Sequence, residues 1–268
     1  MAAVTDAQVL AISGSFFPPD LDLFRIVLAT SRQVVGIGDL AELGVAFGRS
    51  TVLVGSDVRD GETFTVVDLF ENPATDAANE RELDEWCHGQ VTRQRFEETY
   101  RGIHGTVPTI VQGLSSTIVD HAAHGTHRFV HVDASHLYEH VAVDLSSART
   151  LLAERGAVVF DDYRTEHAPG VGAAVWPEVA SGGLSPFALS PQKLYATWGD
   201  PDPYLQAVRR WVAESGWPAE TQRIRGRQVV RLRSEGMPEH RLARYLPPAL
   251  QGPIHTVLHR VRRIRRRA

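Results

Sequence analysis

The chain has 268 residues, 43% of them hydrophobic and 22% charged, with a formal net charge of −4. That length and mix suit a soluble globular protein with one large core, and the acidic balance argues against a general nucleic-acid binder. No stretch approaches the roughly 20 apolar residues of a spanning helix, no basic start and apolar run marks a secretory signal, and the lone Cys87 excludes an internal disulfide and a thiolate zinc cage. A cytoplasmic protein is expected, and any metal should be bound through oxygen.

Residues 1–20 are weakly patterned up to Phe17-Pro18-Pro19, which predicts an irregular arm, then a helix from about Leu21 to Ser31. Asp39-Leu40-Ala41-Glu42-Leu43 reads as a first strand stopped by Gly44, with a helix from Ser50. Thr63 to Val67 is a second strand, closed by Asp68, and a polar helical stretch covers residues 80–101. Thr109-Ile110-Val111 is a short third strand, broken by Gln112-Gly113. Residues 129–132 and 157–160 are a fourth and fifth strand, separated by a helix from about Tyr138 to Arg155. A helix from Gly170 to Val179, a strand from Lys193 to Trp198, a helix from Tyr204 to Glu214 and a strand from Gln228 to Leu232 complete the pattern.

Strands alternating with helices of ten or more residues predict an α/β protein with a Rossmann-like, doubly wound sheet and helices on both faces. Seven strands are expected, mostly parallel with one antiparallel. Residues 1–38 form an N-terminal arm and helix, 39–235 the main domain, and 236–268 a helical basic tail. The last 18 residues carry six arginines and no acid, with Ile254, Val257, Leu258, Val261 and Ile264 at helical spacing. Two readings stand for that tail: an amphipathic helix on an anionic membrane or a protein partner, or a docked C-terminal helix with a frayed basic end.

Charges at the ends of apolar runs carry the chemistry. Asp133 closes Phe129-Val130-His131-Val132, and Asp161 with Asp162 closes Ala157-Val158-Val159-Phe160. The C-terminal ends of parallel strands are where open α/β sheets bind ligands. Three carboxylates converging there repel one another unless a hard cation such as Mg²⁺ sits among them. The alternative is an ordinary strand-end acid and a helix-capping pair. In the first strand's turn, Gly44 and Gly48 precede a helix, a geometry that presents free N–H groups to a nucleotide. Asp68, 24 residues after Gly44 at the next strand end, suits a carboxylate accepting ribose hydroxyls.

Glu42-Leu43-Gly44 with Gly48-Arg49-Ser50, Asp68-Leu69-Phe70, Val132-Asp133-Ala134-Ser135-His136 and Phe160-Asp161-Asp162-Tyr163 resemble the class I S-adenosylmethionine-dependent methyltransferases, in particular the metal-dependent O-methyltransferases of antibiotic sugars and bacterial glycans. The resemblance implies that Glu42, Gly44 and Ser50 surround the methionine part of S-adenosylmethionine, that Asp68 holds its ribose, and that Gly113, Leu114 and Ser115 line its adenine. It also implies that Asp133, Asp161 and Asp162 bind Mg²⁺. Two positions depart from the pattern: Ala134 stands where many relatives have glycine, and Asp161 where many have glutamate.

Methyl transfer from a sulfonium to an alcohol needs an activated hydroxyl, which a divalent ion supplies by lowering its pKa. His136, three residues after Asp133, is the candidate base, with helix capping as its alternative role. The expected reaction is O-methylation of a hydroxyl on a small glycoside or oligosaccharide, a mannoside precursor of a methylated polysaccharide being the narrower expectation. A homo-oligomer is compatible with the sequence. A nicotinamide-dependent oxidoreductase, which would want a Gly-x-Gly-x-x-Gly turn, and a non-catalytic methyltransferase-like scaffold are the competing functions.

Overall fold

The short apolar runs of the chain assemble into one twisted sheet in a computed structural model that describes residues 4–87 and 89–234. Its strands are β1 (Asp39–Leu43), β2 (Phe64–Asp68), β3 (Thr109–Gln112), β4 (His127–Val132), β5 (Leu152–Phe160), β6 (Ser185–Leu189), β7 (Leu194–Thr197), β8 (Ala219–Ile224) and β9 (Arg227–Leu232). The helices are α1 (Asp6–Ala11), α2 (Pro18–Val35), α3 (Arg49–Gly55), α4 (Ala77–Cys87), α5 (Arg93–His104), α6 (Tyr138–Leu151), α7 (Pro169–Ser181) and α8 (Asp202–Ser215), with a 3-10 turn over Ser115–Asp120. None of the described helices is long and apolar enough to cross a membrane.

The strand order is β3-β2-β1-β4-β5-β7-β6-β9-β8. The first five strands are mutually parallel, and β7 runs antiparallel between β5 and β6. β9 is parallel to β6, and β8 folds back antiparallel on β9. Alternation of side chains across a pleated strand splits the core in two. Leu40, Val66, Phe129 and Val159 face a layer built from α1, α2, α3, α5 and α8; Ala41, Val67, Val130 and Val158 face the 3-10 turn, α6 and α7. Helices therefore cover both faces, as expected.

Among the described residues the sheet has nine strands, not seven. β6 contains Pro186 and reads as a loop, yet its five residues are buried and pair with β7 and β9. β8 is polar and partly exposed, so nothing in its hydrophobicity marks a strand; it exists because β9 offers an edge one tight turn away. Other expectations shift in their bounds. α2 starts at Pro18, whose fixed φ suits a first helical turn, and ends at Val35 before Gly36. The arm before it contains α1, opened by a capping box between Thr5 and Gln8. The polar stretch at 80–101 is two helices rather than one, and α6 stops at Leu151 because β5 begins at Leu152 and not at residue 157. The arginine-rich tail of residues 236–268 lies outside the described residues.

One backbone position ties the fold to its ligand edge. Gly44 follows β1 with φ +80°, and a Cβ there would collide with the backbone of Asp133 and Ala134 at the end of neighbouring β4. Gly36, at φ +89°, has open space around the same atom. Gly44→Ala should therefore cost about 3 kcal/mol, combining left-handed strain with overpacking, whereas Gly36→Ala should cost about 1 kcal/mol from strain alone. Urea midpoints of the two variants check this; equal losses would show that the contact with β4 relaxes freely.

Candidate functional site: a carboxylate cluster at the sheet edge

The C-terminal ends of β1, β2, β4 and β5 lie side by side, so every strand-end acid identified in the sequence arrives at one edge. Backbone strain concentrates there as well. Of the four non-glycine residues with positive φ among the described residues, Ala46, Phe70 and Asp162 sit in the loops after β1, β2 and β5. Such conformations cost of order 1–3 kcal/mol each and persist where surrounding contacts hold them.

Asp68 is one of those contacts. Its Oδ2 accepts the N–H groups of Val45 (2.7 Å) and Ala46 (2.9 Å), and its Oδ1 accepts that of Phe70 (2.7 Å). Burial raises its pKa against the lowering effect of these three bonds. The carboxylate thus pins the glycine turn to the end of β2, and a ribose hydroxyl would share it with the backbone. Gly113 donates its N–H to the Asp68 carbonyl at 2.9 Å, which brings Leu114 and Ser115, the start of the 3-10 turn, to the same crevice. Ser50 is buried in the first turn of α3, behind Gly48 in a left-handed cap. Next to it, Arg49 reaches back to the carbonyl of Ile12 at 2.7 Å and straps the N-terminal arm onto the turn.

Glu42, expected beside the methionine part of a cofactor, lies near the C-terminal end of β1. It is fully buried on β1, and its Oε1 accepts a hydrogen bond from Nδ1 of His131 on β4 at 2.8 Å. Cross-strand register sets this pair, because Glu42 and His131 are direct partners. Glu42 Oε2 and His131 Nε2 are buried with no hydrogen-bond partner among the described residues. His131 thus carries an unsatisfied nitrogen in the sheet, in the same residue group as Asp133 and Asp161.

Asp133 is the hub. Its carboxylate shares one potential ligand group with His131 and Asp161 and another with His136 and Asp162, the donor atoms within each group lying inside 4.8 Å of one another. Burial, and then the charge of Asp161, push the Asp133 carboxyl well above the ordinary range, with Lys193 opposing. A carboxylate in that state favours a proton or a cation. Asp161 has a cation already: the Nζ of Lys193, buried at the start of β7, forms an ion pair with its Oδ2. Burial alone would raise Asp161, but Lys193, together with His131 and a hydrogen bond with Asp133, more than reverses this and holds the group ionised.

His136 closes the outer side. Its Nδ1 faces Oε1 of Glu82 at 2.9 Å and its Nε2 faces Oδ2 of Asp162 at 3.4 Å. Glu82, on α4, also accepts the backbone N–H of His136 (2.6 Å) and the hydroxyl of Ser135 (2.7 Å). Burial pulls the imidazole pKa down, yet the bonds to Asp162 and Glu82 outweigh it and push it up to about 10. With both nitrogens donating, the ring is an acid at neutral pH and becomes a base only when Asp162 is drawn elsewhere. His167 stands 3.7 Å from the same Asp162 oxygen, edge-on to His136.

The structure therefore brings together Asp133, Asp161, Asp162 and His136, with Gly44, Asp68 and Gly113 in the adjoining crevice, and keeps Glu42 beneath them in a pair. Sequence reasoning missed Glu82, His131, Lys193 and Asp20. Lys193 had a signal available, since it is the only lysine in a chain that otherwise uses arginine. Glu82 lies in a run of acids that nothing distinguishes.

Residues 41–163 match the family model Methyltransf_24, described as a methyltransferase domain. That span holds every strand end just described except β7. Among solved structures, the O-methyltransferase NovP is similar at a TM-score of 0.56 and 20% identity, over 68% of this chain and 80% of that one. A protein from Corynebacterium glutamicum overlays at 0.51 and 16% identity, over 73% and 91%. CalS11, a TDP-rhamnose 3'-O-methyltransferase, gives 0.47 at 21% identity over 68% and 79%. A comparison with curated protein sequences gives no match. Residues 41–163 are thus similar to a methyltransferase domain, and the chain shares the fold of the O-methyltransferase NovP.

The raised pKa of His136 has a consequence for stability. Relative to an unfolded value near 6.5, folding favours the protonated ring, so its contribution is complete below about pH 6.5 and is lost as pH rises toward 10. In metal-free buffer, the gap in urea midpoint between the wild type and His136→Gln should narrow steadily from pH 6 to pH 9.5. A gap that stays constant would mean the ring is not held between the two carboxylates.

Proposed function

We propose that the chain transfers the methyl group of S-adenosylmethionine to a hydroxyl of a sugar, on a small glycoside or oligosaccharide, with a divalent cation such as Mg²⁺ at the strand-end acids. The observation that carries this reading is the meeting of Asp133, Asp162 and His136 within 4.8 Å beside the Gly44 turn. The donor set fits a hard ion on that side: two carboxylates of which Asp133 is electrostatically frustrated without a cation, and a loop strained at Asp162 that aims its oxygen inward. The NovP likeness supports the fold, and the motif pattern supports a sugar acceptor over other alcohols. A mannoside precursor of a methylated polysaccharide is the first acceptor to try.

In this reading the turn from Gly44 to Ser50 receives the methionine part of the cofactor, Asp68 its ribose, and Gly113 to Ser115 its adenine. Glu42 acts from below, keeping His131 oriented. Asp133 and Asp162 would hold a divalent ion, which would supply Lewis-acid activation of an acceptor hydroxyl for in-line transfer of the sulfonium methyl. His136 is the proton acceptor. Once the charge of Asp162 is neutralised, the strongest of the bonds that raise its pKa weakens, Nε2 loses its proton more readily, and Glu82 keeps Nδ1 protonated and the ring in place. The N-terminal arm and the loop from Tyr163 to Trp176 frame the acceptor.

Transfer of a labelled methyl group to a panel of glycosides should stop in EDTA and return with added Mg²⁺. Asp133→Asn should abolish it, and His136→Gln should lower kcat by about 10²-fold or more as a lost general base does. Full activity in the chelator would remove the ion from the reaction, and near wild-type turnover of His136→Gln would return that histidine to a structural role.

A further inference from the structure

We propose that Lys193 is the resident cation of Asp161, and that it divides the carboxylate cluster into an inner half closed by this ion pair and an outer half, Asp133 with Asp162 and His136, that alone admits a divalent ion. For the ion this rests on the function proposed above; for the lysine it rests on geometry. The chain has 28 Lys and Arg residues, and Lys193 is its single lysine. Its side chain is 1% exposed, in ion pair with Asp161 and under the rings of Phe16 and Phe24, whose centroids lie 4.8 and 5.7 Å from Nζ. A compact ammonium fits this enclosure, where the planar fork of a guanidinium would need more room.

The surroundings hold it there. The Lys193 N–H donates to Ser190 Oγ at 2.8 Å, and its carbonyl accepts the Ser190 N–H at 2.9 Å, which fixes the turn between β6 and β7. Asp20, buried at the start of α2, accepts the hydroxyls of Tyr195 (2.6 Å) and Ser190 (3.1 Å) and adds negative charge near the ammonium. Lys193 is thus a positioning residue for the reaction: it fixes Asp161, and through Asp161 the backbone N–H of Asp162, which donates to Asp161 Oδ1 at 2.9 Å.

A second observation points to what the lysine excludes. His131 Nε2 is fully buried with no hydrogen-bond partner among the described residues, and His131 forms with Asp133 and Asp161 a group whose nitrogen and oxygen donors lie within 4.8 Å of one another. Its other nitrogen is fixed by Glu42, the arrangement by which carboxylates orient metal-binding imidazoles. Without the ammonium, that group of one imidazole and two carboxylates would suit a first-row divalent ion such as Mn²⁺ or Co²⁺.

Calorimetric titration of the full chain with Mn²⁺ tests the division. The wild type should bind one ion. Asp161→Asn should weaken it by no more than about 100-fold, the upper range for a group outside the coordination shell, while Asp133→Asn and Asp162→Asn should each weaken it by clearly more than that. Lys193→Met should bind a second Mn²⁺, lost again in Lys193→Met/His131→Phe. An Asp161→Asn loss as large as that of Asp133→Asn, or a Lys193→Met chain that still binds one ion, overturns the proposal. Urea denaturation without metal tests the ion pair separately: the midpoint should fall in Lys193→Met and recover in Lys193→Met/Asp161→Asn, because the second change removes the stranded charge. Absence of recovery overturns the pairing. If the wild type binds no Mn²⁺, the ion of the proposed function is wrong and this cycle decides the role of Lys193 alone. Should Lys193→Met fail to fold, the Asp161→Asn titration and the folding of the double variant still discriminate.

Discussion

Burying several carboxylates at the end of one sheet is the constraint around which the rest of this molecule is arranged. Like charges drawn out of water repel strongly and must find a proton, an ammonium or a metal. The chain answers in two ways within a few ångströms. Asp161 receives an ammonium, and Asp133 is left with its pKa raised, facing two imidazoles and a second acid. That asymmetry turns a cluster of acids into a site with an inside and an outside, the outside facing the crevice where the Gly44 turn and Asp68 meet.

Topology delivers the ammonium. β7 is antiparallel to β5, so Leu194 pairs with Phe160 and the residue just before β7 falls beside the residue just after β5. A parallel strand in that position would begin at the opposite edge and carry Lys193 away from Asp161. The reversed strand is thus a functional part of the sheet as well as a variation in its order.

The opposite edge shows what buried charge looks like when its role is structural. There Arg128, fully buried, is bonded to Glu62 through Nε and a terminal nitrogen at 2.8 Å each, and to Asp57 at 3.0 Å, with further bonds to the carbonyls of Leu28 and Asp57. Every guanidinium nitrogen of Arg128 is hydrogen-bonded, as a buried charge must be to avoid a net cost, although Asp57 Oδ2 has no hydrogen-bond partner among the described residues. At the ligand edge, Glu42 Oε2 and His131 Nε2 have no hydrogen-bond partner among the described residues, and three non-glycine residues adopt left-handed backbone. Unspent hydrogen-bonding capacity and strain in one place mark where the molecule is built to receive something.

Much of this was written locally. The apolar runs that end in Asp68, Asp133 and Asp161-Asp162 determine by themselves that strands stop there and that acids crown them, because a four- to six-residue run of branched apolar side chains has one stable use in an α/β protein. Gly44 and the helix after it likewise follow from short-range backbone sterics. The tertiary structure decided what those acids are worth. β6 and β8 form because a neighbour offers an edge, the Glu42–His131 pair exists through the register of two strands 89 residues apart in contact, and Glu82 and Lys193 reach the acids from a helix and a reversed strand that no periodicity relates to them. Charge pairing depends on distances in space, and sequence spacing fixes those only within a single turn or strand.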